Sequence, residues 1–196
     1  MKKSLFAAMV LLALAPSARA EFIAGQIVGT FGSSGTSTYS QGGVTITFTG
    51  AGPGTIDTPT FASFGSFDVV TAPGLPAAVA DTFTLTVFET GPDLGVIQFT
   101  GTVGGLLGVN QSSAFVQFAG PLAQDIGTSP VFTFRILAAD QTTPGRINLG
   151  VPSFPTDSIA GSITAVPEPS SLALLGVGLA GLAALARRRG RSPCHA

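Results

Sequence analysis

The chain of 196 residues has no tryptophan, one histidine and one cysteine, and the last two lie side by side at its end as His195 and Cys194. Lysine occurs only as Lys2 and Lys3. The long middle must therefore work without thiol, imidazole, indole or ammonium groups. That excludes a disulfide framework, a His or Cys metal site, and a Ser/His/Asp or Cys/His nucleophile system there. Positive charge is equally scarce: Arg135 and Arg146 stand against ten acidic residues from Glu21 to Glu168, a local net charge of -8. Such a surface excludes nucleic acid as a partner. The whole-chain value of -1 conceals this because the other bases gather at the ends, as Lys2, Lys3 and Arg19, and as Arg187, Arg188, Arg189 and Arg191.

The first twenty residues, MKKSLFAAMVLLALAPSARA, place two lysines before an apolar run and end with small residues at Ala18 and Ala20. This order is that of a secretory signal peptide, with cleavage by signal peptidase expected after Ala20 and export through the secretion machinery. The other end carries VPEPSS from Val166 to Ser171, then the apolar stretch Leu172 to Ala186, then Arg187, Arg188 and Arg189. Pro167 and Pro169 hold the chain extended, and Ser170 or Ser171 suits a helix N-cap. From Ser170 the helix would reach roughly 25 Å at about 1.5 Å per residue, a little short of the roughly 30 Å bilayer core. Arginine stems make up part of the deficit by snorkelling, and the positive cluster puts the C-terminus in the cytoplasm. A single transmembrane helix is expected, with the acidic body outside. Gly176, Ala180 and Ala184 form a small-residue stripe on it, a degenerate packing motif.

A Pro-Glu-Pro tripeptide, a short apolar helix and a terminal arginine cluster, on a chain with a signal peptide, resemble the PEP-CTERM sorting signal of exopolysaccharide-producing Gram-negative bacteria. The same tail is also known as the ice-binding protein C-terminal domain. The resemblance covers about Val166 to Arg191 and implies processing by exosortase, a membrane-embedded protease, followed by release or attachment at the cell surface among exopolysaccharide. Pro167, Glu168 and Pro169 are then substrate residues of another enzyme. The expected organisation is a signal peptide (1–20), a β-rich extracytoplasmic domain (21–165), the sorting tail (166–191) and a disordered end (192–196). In that end Cys194 and His195 lack the partner ligands a metal would need.

Between the two addresses no amphipathic helix is evident, and period-2 alternation recurs. Val44, Ile46 and Phe48 alternate with threonines, as do Phe83, Leu85 and Val87, and Phe132, Phe134 and Ile136 alternate with Val131, Thr133 and Arg135. Further strands are expected near 22–31, 67–70, 95–103, 113–119, 146–151 and 158–165, with Gly and Pro clusters between them. Gly32 to Gly43 reads as a long loop. The expected class is all-β, an antiparallel β-sandwich or jelly-roll-like body, with fourteen phenylalanines as its core material.

General acid or base work in such a body would fall to carboxylates. Asp57, Asp68, Asp81, Glu89, Asp93, Asp125, Asp140 and Asp157 are dispersed beside turn-forming residues, where aspartate serves turns and strand ends. No base is present to activate a serine or threonine. No catalytic residue, cofactor or metal is therefore expected; Glu89 and Asp93, around Gly91 and Pro92, are only a loose calcium candidate. Asn110 to Ser112 matches a glycosylation acceptor, mostly by chance. Three rows, Thr45/Thr47/Thr49, Thr82/Thr84/Thr86 and Thr100/Thr102, would each line one face of a strand. Threonine suits a wet strand face for reasons of shape alone, yet a flat hydroxyl and methyl array is also a surface for ordered water or sugar. The leading expectation is a non-catalytic surface or matrix protein. The alternatives are an adhesin, glycan-binding or ice-binding module using the threonine faces, and a carboxylate-based hydrolase.

Overall fold

A computed structural model of the chain describes residues 21–91, 93–109, 111–128, 131–137, 143–150, 157–166, 175–176 and 178–183. The alternating stretches become strands: β1 (Glu21–Phe31), β2 (Thr38–Gln41), β3 (Val44–Gly50), β4 (Gly54–Asp57), β5 (Thr60–Thr71), β6 (Ala77–Gly91), β7 (Gly95–Gly108), β8 (Gln111–Ser112), β9 (Phe115–Phe118), β10 (Ala123–Ile126), β11 (Val131–Ile136), β12 (Arg146–Asn148) and β13 (Asp157–Val166). They form two antiparallel sheets. One runs β12-β9-β7-β6-β1-β4 with β8 added on β7, and the other runs β10-β11-β13-β5-β3-β2.

The buried faces carry the apolar half of each alternation: Val44, Ile46 and Phe48 on β3, Phe83, Leu85 and Val87 on β6, and Phe132, Phe134 and Ile136 on β11. Phe83 is the hub. Its ring centroid lies 5.2 Å from that of Phe31 and 6.2 Å from that of Phe118 in its own sheet, and 5.2 and 5.1 Å from Phe48 and Phe67 in the other. Each such ring contributes roughly 1.5–3 kcal/mol by burial, and favourably tilted pairs add about 0.5–1.5 kcal/mol. The two sheets are thus joined by aromatic contact where a disulfide is chemically impossible. Not every phenylalanine serves the core: Phe61 on β5 is 81% exposed, and Phe115 lies under the Arg146 guanidinium at 4.0 Å.

Two readings of the sequence need correction. The loop expected from Gly32 to Gly43 contains β2, whose Tyr39 is buried beside Phe31 and donates its hydroxyl to Gln41 Oε1 at 2.9 Å. Gly42 and Gly43, at φ 60° and 78°, close a two-residue hairpin to β3, a turn that needs positive φ at both positions. The rest of the segment is short and pinned: Asp81 accepts hydrogen bonds from Ser33 N at 3.0 Å and Ser33 Oγ at 2.5 Å. The strand expected at 67–70 also extends back to Thr60. Alternation breaks at Phe64 and Gly65, both buried, because Gly65 has positive φ and β13 shifts register opposite it, between Ser158 and Ala160. A bulge of this kind swaps the faces and hides the strand from a period-2 search.

Candidate functional site

Three features place chemistry on this framework. The first is the exit of the chain. β13 is an interior strand, paired to β11 from Val166↔Val131 to Gly161↔Ile136 and to β5 from Asp157↔Phe67 to Ile163↔Thr60. Its ladder ends at Val166, directly before Pro167, and proline has no N–H with which to continue it. At the other end β1 starts at Glu21, the residue that follows the expected signal-peptidase site.

The second feature is the threonine surface. The long β6–β7 pairing sets Thr82 opposite Thr102, Thr84 opposite Thr100 and Thr86 opposite Gln98. β1 adds Thr30 opposite Thr84, and β9 adds Gln117 opposite Thr102. Two of the predicted rows thereby merge into one array on a single sheet, with rows spaced by the roughly 4.8 Å between strands. Thr82, Thr100 and Thr102 are exposed, Thr30 and Thr84 are half-buried, and Thr86 is nearly buried, accepting from Gln98 Nε2 at 3.3 Å. Thr45, Thr47 and Thr49 stand apart, on β3 of the other sheet. There Thr45 shares a 3.3 Å hydroxyl contact with Ser40, and Thr47 lies opposite Asp68.

The third feature is the acids. Most secure loops. Asp93 Oδ2 accepts from Thr128 N at 2.7 Å and Thr128 Oγ1 at 2.5 Å, Asp125 accepts from Thr133 Oγ1 at 2.6 Å, and Asp157 accepts from Gly150 N. Burial raises the Asp157 carboxyl above its usual range, and the Gly150 N–H partly offsets this. Glu89 differs. It is 2% exposed, and burial, followed by repulsion from Asp93, pushes it up to about 7. The described residues contain no group of three or more His, Cys, Asp or Glu able to share a metal ion.

A family model described as the PEP-CTERM protein-sorting motif matches residues 165–189. The chain carries a PEP-CTERM sorting motif. No curated protein and no solved structure matches the chain. The motif supports export, sorting to the cell surface or beyond it, and exosortase as the processing partner. Its matched span begins on the last two residues of β13, so the motif adjoins the ladder with no intervening linker. Pro167, Glu168 and Pro169, the arginines Arg187, Arg188 and Arg189, the cleavage residues Ala18 and Ala20, and Asp140, Cys194 and His195 lie outside the described residues. Of the tail, residues 175–176 and 178–183 are helical and exposed. Among the described residues no helix is long and apolar enough to cross a membrane.

Glu89 is the residue whose environment the sequence misjudged. Its alternation with Leu85 and Val87 was a signal for the buried face, outweighed in the reading by its charge and its nearness to Gly91.

Proposed function

We propose that this is a non-catalytic structural protein of the cell surface or extracellular matrix, with a jelly-roll-like sandwich as its mature body. It is exported by a signal peptide cut after Ala20, held by a membrane-spanning C-terminal helix, processed by exosortase and deployed among exopolysaccharide. The observation that carries this reading is the PEP-CTERM match at 165–189, starting where β13 ends. A body whose last strand is complete at Val166 can lose everything after it and keep its ladder. The lack of catalysis is supported by the acids: the carboxyl with the most perturbed affinity for protons, Glu89, is buried in the sheet's inner face instead of lining an open cleft.

Replacing Pro167, Glu168 and Pro169 together by alanine in the native host is expected to leave full-length protein in the membrane fraction, detected by immunoblot against the body. Wild-type processing of that variant would refute the sorting role of these residues.

The merged array of Thr30, Thr84, Thr100, Thr82 and Thr102 favours a second reading, a binding module for a glycan or ordered water. The test is retention of the protein on immobilised host polysaccharide and on ice. Loss of retention in a Thr84→Lys, Thr100→Lys variant supports this reading, and failure of the wild-type protein to be retained on either removes it.

A further inference from the structure

Glu89 follows Leu85 and Val87 along the inward face of β6, at the end where β6 turns toward β7. Neither of its carboxylate oxygens accepts a hydrogen bond of normal geometry. The backbone N–H of Asp93 is turned toward the carboxyl and offsets only part of the cost of its burial. On one side the surroundings are apolar: a Cβ placed on Gly95 would fall 2.5 Å from Ile126 Cγ1 and 3.3 Å from Glu89 Oε2. On the other side is a like charge, Asp93, whose loop is clamped by Thr128. The strand register brings two further acids to the same end of the sheet, since Ile23 pairs with Gly91 and Glu21, two residues before it, pairs with Asp57.

A buried carboxylate without donors is costly, and a second carboxylate beside it raises that cost. Only a proton or a cation relieves both terms. The body contains no lysine, and Arg146 is occupied elsewhere by Phe115 and Asn148. We propose that Glu89 and Asp93 form a binding site for a hard divalent cation of the calcium type, completed by backbone carbonyls of the β6–β7 connection and by water. The absence of His and Cys between positions 21 and 193 excludes the softer metals from such a site. Calcium's tolerance of irregular oxygen coordination suits a loop better than the strict octahedron of magnesium does. With two carboxylates the site has the weak affinity of extracellular modules, about 0.1–1 mM.

The test is thermal unfolding of the full chain in detergent micelles at pH 8, followed by circular dichroism in EDTA and across a CaCl2 series with ionic strength held constant by NaCl. The midpoint is expected to rise and saturate with half-effect at about 0.1–1 mM. Equilibrium dialysis should find one calcium per chain, with affinity falling about tenfold per pH unit below 7 as protons compete. The near-isosteric Glu89→Gln is expected to lose the rise, and Asp93→Asn to weaken it. The proposal is overturned if calcium does no more than NaCl, or if Glu89→Gln keeps the full response. Should Glu89→Gln fail to fold, an undiminished response in Asp93→Asn overturns it equally.

Discussion

At the scale of single residues, the pH dependence of stability reports on Glu89. In the unfolded chain this group titrates near 4.5, and in the folded protein it titrates at about 7, so the folded state binds more protons across that interval. Stability is therefore full below about pH 4.5 and is lost as pH rises through 7, at up to about 1.4 kcal/mol per unit. Asp157, also raised by burial, adds a loss of the same sign beginning lower. Urea unfolding in EDTA should show a more stable protein at pH 5 than at pH 8, and Glu89→Gln should flatten the profile between pH 5 and 7. A wild-type stability that climbs over this range would contradict the assigned environment of Glu89. The sequence identified Glu89 and Asp93 as neighbours through their spacing. It could not reveal that the carboxyl is desolvated, because that depends on Ile126 arriving from a strand more than thirty residues away.

Among the elements, the strands with strict alternation were legible and those without it were not. β3, β6 and β11 present one buried and one wet face throughout most of their length, and the threonines between their apolar residues make the period plain. β5 was half hidden because the bulge at Gly65 changes which face is buried. β4, β8 and β10 escaped detection because two to four residues are too few to display a period, and their pairing is set by longer neighbours. β2 had a signal that went unused: Gly42 and Gly43 between two β-favouring segments are a hairpin turn in sequence form. This turn is open to test. Asparagine tolerates positive φ and L-residues with branched Cβ do not, so Gly42→Asn should change stability by under about 0.5 kcal/mol, whereas Gly43→Val should cost about 1–2 kcal/mol, measured by chemical denaturation. Equal effects of the two substitutions would argue against the paired left-handed geometry.

For the whole molecule, the sheet order determines what can be removed. Ending the chain after Val166 takes away no strand, and the thermal midpoint of that form in solution should match the full chain's within about 2 °C, since no buried apolar surface is lost. Ending it after Gly150 deletes β13 from between β11 and β5, together with buried Ile159 and Ile163, and should leave no cooperative transition. A truncation at Val166 that unfolds would show that the body depends on the tail. Sequence alone identified the sorting motif and the all-β class, because both are written in local order. The position of the last strand within its sheet is a long-range property, settled by pairings with residues 60–67 and 131–136.

The interior position of β13 also has a mechanical meaning. Tension applied through the tail enters the body along a strand hydrogen-bonded on both flanks, so the load is shared by two ladders in shear instead of peeling one rung at a time from an edge. A protein moored at its C-terminus in a flowing or sticky environment would thereby resist being unravelled by its own mooring line.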